Sequence, residues 1–454
     1  MATSTDTLPA ADGLPRPTRD IEHVPGDYGW PMLGHTIEWM RDTRGFYERM
    51  YRTYGPVFRG QVLFDPGITL LGPDANELVL MDRDKNFSSR LAWSQSLSEL
   101  FPRGLMLRDF DDHRVQRKVM QAAFKKPAME AYLEQMTAQI GPALAGWDER
   151  PNFRFYPAIK QLTLDLAAHV FAGAEMGLES DKVNRAFVDV VAASIAVVRN
   201  PVLGRKYARG LKGRAFLEEY YGRLVPERRG SNRPDMLTQL CNATGDDGES
   251  YSDREIVDHM IFLMMAAHDT TTSALTTMAY ALAKHPDWQE QVRGEVRGLG
   301  VEEITHDDLE RMELTERTFR EALRLYTPLA IIPRRSLRPF AFGGYEFPAN
   351  TSVTISPAFT HHMPELWTEP ARFDPERFAP ERAEDQNHKF AWTPFGGGAH
   401  KCIGMHFAYM QVKAFTHALL SRYRLELPAG YEMPMALVPI AKPRDGLPIS
   451  IRPV

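Results

Sequence analysis

The run Phe395-Gly396-Gly397-Gly398-Ala399-His400-Lys401-Cys402-Ile403-Gly404 constrains this chain more than any other stretch. Its glycines remove side-chain bulk and free the backbone, so the loop can pass close to a flat surface. Apolar residues at 403, 407, 408, 412, 415 and 419 then recur with a helical period, which predicts a helix from Ile403 to about Arg422 with one buried face. Cys402 therefore stands at a helix N-terminus, where free N–H groups and the positive dipole end favour a thiolate. The plainer reading of a lone cysteine is a buried apolar residue. A zinc site fails on arithmetic, because the only other cysteine is Cys241 and no spaced Cys or His partners stand near Cys402.

Two cysteines in 454 residues exclude a disulfide scaffold and fit a reducing compartment. The first twenty residues, MATSTDTLPAADGLPRPTRD, lack the apolar core of a signal peptide, and no later run reaches the length of a bilayer span. A cytoplasmic chain without a membrane anchor is expected. A net charge of -5 gives no attraction to nucleic acid. Residues 1–23 read as a disordered tail, and 24–454 as one large domain, since proline and glycine are spread rather than gathered in a linker. Strands are expected at Val57 to Val62 and Ile68 to Leu71, around an Asp65-Pro66-Gly67 turn. Helical periodicity dominates from about 109 to 330. Beyond Pro333 come short strands, with Gly343-Gly344 as a turn and Thr351 to Ser356 alternating. The fold class is mainly α with small β-sheets. A doubly wound nucleotide-binding sheet is excluded, because no strand, glycine loop and helix occur in that order.

One long helix carries a second constellation. Ser252-Asp253-Arg254-Glu255 is a capping box, and the apolar pattern runs to Lys284-His285 before Pro286 stops it. In its middle stands the polar island Ala266-Ala267-His268-Asp269-Thr270-Thr271-Thr272. Buried polar groups need partners, so these side chains either bond back within the helix or serve chemistry. His113 and Arg117, four apart on one helix face, read as a solvated basic face or as donors to a carboxylate. Glu321 and Arg324, three apart, read as a surface pair worth roughly 0 to 1 kcal/mol.

In this order the motifs resemble the cytochrome P450 superfamily of haem-thiolate monooxygenases, in its soluble bacterial form, from about Val24 to Val454. The resemblance implies haem b lying between the long central helix and the cysteine-loop helix, with Cys402 as the axial ligand of the iron. Thiolate ligation favours O–O cleavage. It assigns proton relay from solvent to Asp269 and a hydrogen bond to dioxygen to Thr270, with Thr271 as the alternative hydroxyl and His268 facing away. His113, Arg117, Arg334 and His400 would hold the propionates, with Arg335 replacing Arg334 if the register shifts by one. Ala266, Phe395 and Gly404 would contact the cofactor. Two departures stand out: Ala267 where the family most often has glycine, and His400 where it commonly has arginine. Glu321, Arg324 and Arg377 would form a structural trio behind the cysteine loop.

The implied substrate pocket comprises Leu97, Phe101, Phe262, Met265, Ala330, Ile331, Val438 and Ile440, with Ala266 beside them. All are apolar, which points to a hydrophobic small molecule, although each also reads as ordinary core. The expected reaction inserts one oxygen atom of O2 into that substrate. Electrons would come from a ferredoxin or flavodoxin with its NAD(P)H-dependent reductase, docking near Lys401 and Lys413, with Arg114 and Lys118 close by. The alternatives are a haem-thiolate gas sensor without turnover, or a peroxygenase or isomerase needing no electron partner. Asp269 with Thr270 argues against a sensor, and the lack of an arginine around them in the distal helix argues against a peroxygenase.

Overall fold

The residues from Asp253 to Lys284 form one α-helix, capped reciprocally by Ser252 and Glu255 as the box requires. The computed structural model describes residues 16–62, 65–174, 177–196, 198–245 and 248–454. The helix is buried almost throughout, because Phe155–Ala172, Arg205–Arg228 and Glu313–Leu325 pack around it. Between Ile256 and Ala283 only Met265, Ala266, Ala267, Asp269 and Thr270 are less than fully buried. Positions 265, 266, 269 and 270 share one face at helical spacing. That accessible stripe lies in the middle of the molecule's main apolar core.

The cysteine loop feeds the helix Met405–Arg422, whose N-cap is Gly404. This helix packs on Lys126–Leu144 and is buried on more than one face, including Gln411, Lys413 and His417. A five-stranded sheet flanks the helical body in the order Val57–Val62, Asp65–Leu70, Ser352–Ile355, Ile332–Ser336 and Phe87–Ser88. Only the Asp65–Leu70 and Ser352–Ile355 pair is parallel.

The expected Asp65-Pro66-Gly67 turn is instead the start of a strand, with Pro66 opposite Gln61 and Asp65 opposite Val62. Glycine at 67 answers a steric demand, since a Cβ there would stand 2.6 Å from the Ser352 carbonyl oxygen. Gly343-Gly344 does turn the hairpin Phe340–Phe342 to Tyr345–Phe347, at φ of 59° and 83°. Of the expected disordered tail, residues 1–15 lie outside the described residues. Residues 16–23 are docked: Thr18 N–H donates to Asn350 O at 2.9 Å, and Ile21 is fully buried against Val57, Ile68 and Phe347. One apolar side chain and a few hydrogen bonds, among them His23 Nε2 with Glu346 O at 2.7 Å, anchor this polar segment.

Glu321 and Arg324 do not form a surface pair. Arg324 Nε and Nη2 donate to both Glu321 oxygens at 2.7 and 2.9 Å, Arg377 Nε donates to the same carboxylate at 3.0 Å, and all three residues are fully buried. Glu384, which the sequence reading missed, is a fourth member, accepting from Arg377 Nη1 at 2.5 Å. The network reaches the cysteine loop through His361. Its carbonyl accepts from Arg324, and its Nε2 accepts the Thr393 N–H at 2.9 Å.

Candidate active site

Three short hydrogen bonds shape the loop around Cys402. Cys402 N–H donates to Phe395 O at 2.9 Å, Gly396 N–H to Thr393 O at 3.0 Å, and Lys401 N–H to Gly398 O at 3.2 Å. Gly396 and Gly398 are left-handed, at φ of 67° and 58°. Gly398 also abuts the helix Pro73–Met81, where a Cβ would stand 1.9 Å from Leu80 O. Close packing of protein on protein is thus enough to require glycine at 398. The Cys402 side chain is exposed, yet protein desolvates it on most sides and pushes its thiol above the ordinary range. The Gly404 amide and the charges of Arg117 and Lys401 act in the opposite direction. Cys241 is buried, and burial outweighs the nearby Arg229 and Arg228 and pushes its thiol up to about 11.

Beside Cys402 four donors converge from three elements. The helix Phe110–Met120 supplies His113 and Arg117, the strand Ile332–Ser336 supplies Arg334, and the loop supplies His400. The rings of His113 and His400 lie 4.0 Å apart between centroids. Alternation along the strand settles the register, since Arg334 faces the two histidines while Arg335 faces Asp65. Burial holds Arg334 down to about 10, and burial together with the neighbouring arginines holds His113 down to about 4 and His400 to about 2. The carboxylates nearest Arg334 are already engaged: Asp109 by Ser88 and Ser89, and Asp82 by the Asn86 and Phe87 amides. Among the described residues Arg117 has no carboxylate partner. A buried and a half-buried guanidinium lacking close counter-ions, next to neutral imidazoles that still carry an N–H, make an anion site.

Both histidines titrate in the folded chain well below the usual 6.5. Between about 4 and 6.5 the unfolded chain binds more protons at position 113, so stability should fall as pH drops through that window. Thermal melting of the cofactor-free protein at pH 7 and pH 5 should show the loss, and His113→Gln should reduce it. An equal pH dependence in the variant would contradict the assignment.

On the central helix, Thr270 Oγ1 donates to Ala266 O at 2.8 Å, which leaves its lone pairs free on the accessible stripe. The helix is regular across Ala267. Asp269 lies 3.0 Å from His268 Nδ1 and 3.4 Å from Lys160 Nζ. Burial alone would raise its pKa, but His268 and Lys160 outweigh that and hold it at about 2. Lys160 was missed in the sequence, although a lone cation in the apolar helix Phe155–Ala172 is the signal that pointed to it. His268 is buried edge-on against Phe187, with ring centroids 5.6 Å apart, and so faces away from the stripe. Thr271 is buried on that far side, beside Thr163, His268 and Gln411, which removes it as the alternative hydroxyl.

The expected pocket residues fall into groups. Leu97, Phe101 and Phe262 are buried in the main core, with Met265 and Ala266 partly buried against it. Ala330, Val438 and Ile331 belong to a second cluster with Phe58 and Leu71. Ile440 is partly buried and joins neither. Lys413 is not on a docking face. It is 8% exposed, with Nζ donating to Leu309 O at 2.8 Å and Glu316 at 2.7 Å, because its helix is buried on more than the one face that the apolar period showed. Lys401, Arg114 and Lys118 are exposed.

The cytochrome P450 family profile matches residues 24–447. The chain belongs to the cytochrome P450 family. A Mycobacterium tuberculosis protein provisionally named cytochrome P450 136 is 43% identical over 449 residues, covering 97% of this chain and 90% of that one. Human cytochrome P450 26B1 is 29% identical over 444 residues, covering 94% and 86%. The solved cyanobacterial CYP120A1 with retinoic acid bound matches at a TM-score of 0.85 and 28% identity, covering 97% of this chain and all of that one. As a cytochrome P450 the chain is a haem-dependent monooxygenase that draws electrons from a redox partner. The residues present fit that cofactor: an accessible thiol for the iron and, beside it, a buried donor cluster suited to carboxylates.

Proposed function

We propose that this cytochrome P450 inserts one oxygen atom of O2 into a hydrophobic small molecule, using haem b. The observation that carries the reading is the convergence of His113, Arg117, Arg334 and His400 beside the single accessible thiol, Cys402. Cys402 ligates the iron, Phe395 and Gly404 shape its surroundings, and the four donors hold the propionates. When bound, haem supplies the activation of O2.

The chain's own part is proton delivery and substrate placement. O–O heterolysis consumes protons, so a relay from solvent is required. Asp269, kept ionised at neutral pH by His268 and Lys160, accepts a proton at its carboxylate and passes it toward Thr270. Thr270 donates its hydroxyl hydrogen bond to Ala266 O and so is left to accept hydrogen bonds at Oγ1. Leu97, Phe101, Phe262, Met265 and Ala266 supply an apolar wall, and Ala330, Ile331 and Val438 a second one. Relatives named for retinoic acid and for taxane 10-beta-hydroxylation are in keeping with a bulky apolar substrate. A ferredoxin or flavodoxin with its NAD(P)H-dependent reductase donates electrons at the face bearing Lys401, Arg114 and Lys118. The cytoplasm is the proposed location. Among the described residues no helix is long and apolar enough to cross a membrane.

The test couples product to oxygen. With a ferredoxin and its reductase, Thr270→Ala should keep haem but yield roughly tenfold less product per O2 consumed. Unaltered coupling would remove Thr270 from the relay.

A further inference from the structure

Asp258 lies on the central helix, one turn before Phe262, and is fully buried. Arg103 Nε donates to its Oδ2 at 2.7 Å, Arg214 Nη2 donates to its Oδ1, and Arg254 Nε stands 3.6 Å away. These arginines come from different elements. Arg214 belongs to the helix Arg205–Arg228, Arg254 to the central helix, and Arg103 to the strap 96–104, which also carries Leu97 and Phe101.

The strap and the segment 199–214 are joined to each other at several further points. Arg199 Nη2 donates to Ser96 O at 3.0 Å, the Tyr207 hydroxyl donates to Glu99, and Arg214 Nη1 donates to Leu100 O at 3.1 Å. Two features show the strap being drawn tightly onto the central helix. Arg103 is left-handed at φ 60°, a conformation that costs a non-glycine residue energy and persists only where surroundings impose it. Gly104 approaches Phe262 so closely that a Cβ would stand 2.6 Å from the ring. Asp258, Phe262, Met265 and Asp269 are spaced 4, 3 and 4 apart and lie along one helix face, so the fastening continues the stripe that bears Asp269.

We infer that Asp258 is a positioning residue: its carboxylate fastens the strap and the 205–228 helix to the central helix, and its release opens this wall of the substrate pocket. The Asp258 and Arg214 pair is buried and so only weakly screened by salt, while Arg103 reaches the surface and is the arm that can let go. The inference rests on the monooxygenase reading for the word substrate, but the fastening itself does not.

Arg103→Leu is the informative variant, because the Arg103 side chain is 40% exposed and Asp258 keeps Arg214 when it is lost. In the ferric holoenzyme, stopped-flow binding of 4-phenylimidazole should become faster in both directions, by roughly fivefold, with Kd changed less than about twofold. Deuterium uptake should rise in 96–107 and stay constant in 405–422. Asp258→Asn should do the same more strongly. If that variant fails to fold, Arg103→Leu decides alone. Unchanged rate constants together with unchanged strap exchange in Arg103→Leu would overturn the assignment. If the wild-type chain shows no nitrogen-ligand Soret shift, the haem reading fails instead, and strap exchange still decides the fastening.

Discussion

Glu321→Gln should leave little folded protein. Among the described residues the carboxylate is the only anionic partner of Arg324, whose other acceptors are the carbonyls of His361, Pro370 and Arg372. Arg377 loses one of its two carboxylates but keeps Glu384. Neutralising Glu321 therefore strands a fully buried guanidinium, which costs about 3 to 5 kcal/mol. Total stabilities are about 5 to 15 kcal/mol, so the loss is a large share of what holds the fold. It also spreads, because Arg324 grips His361 and His361 grips Thr393 at the start of the cysteine loop. Glu384→Gln should be milder, since Arg377 retains Glu321. Soluble yield and urea midpoints of the two variants would check this. Equal midpoints for wild type and Glu321→Gln would contradict it.

Cys402→Ala should do the opposite: preserve the fold and remove the chemistry. The side chain is exposed, and the loop is closed by the Cys402 backbone N–H on Phe395 O, which alanine retains. Nothing else near the loop supplies a thiolate, because Cys241 is buried elsewhere against the Val225 carbonyl. The expected result is a folded chain with unchanged circular dichroism, no thiolate-type spectrum and no product. A variant that still monooxygenates would contradict the ligand assignment.

What the sequence disclosed and what it hid follow the range of the interactions. The Ser252 and Glu255 cap, the Gly343-Gly344 turn and the helix after Cys402 are local, so their residue types alone place them. The cysteine loop and the order of motifs carried the family and the region of the site. The reasons behind particular residues were long-range. Gly398 is glycine because Leu80 lies against it, and Gly67 because Ser352 does, though both partners are far away in the chain. Lys413 looked like a surface cation because an apolar period cannot show that a helix is buried on several sides. Arg334 and Arg335 were interchangeable until strand alternation separated them. Lys160 became a partner of Asp269 only when two helices crossed. Pro66 mimicked a turn but stands near the start of its strand, opposite Gln61 and outside the stretch 68 to 70 that pairs on the other side, where a missing N–H is tolerated.

The most direct measurement is the spectrum of the purified, haem-loaded protein, reduced and exposed to carbon monoxide. A Soret band shifted far to the red, absent from Cys402→Ala, is the predicted result. A band at the position of histidine-ligated haem, or one unaffected by Cys402→Ala, would contradict thiolate ligation and with it the proposed monooxygenase site.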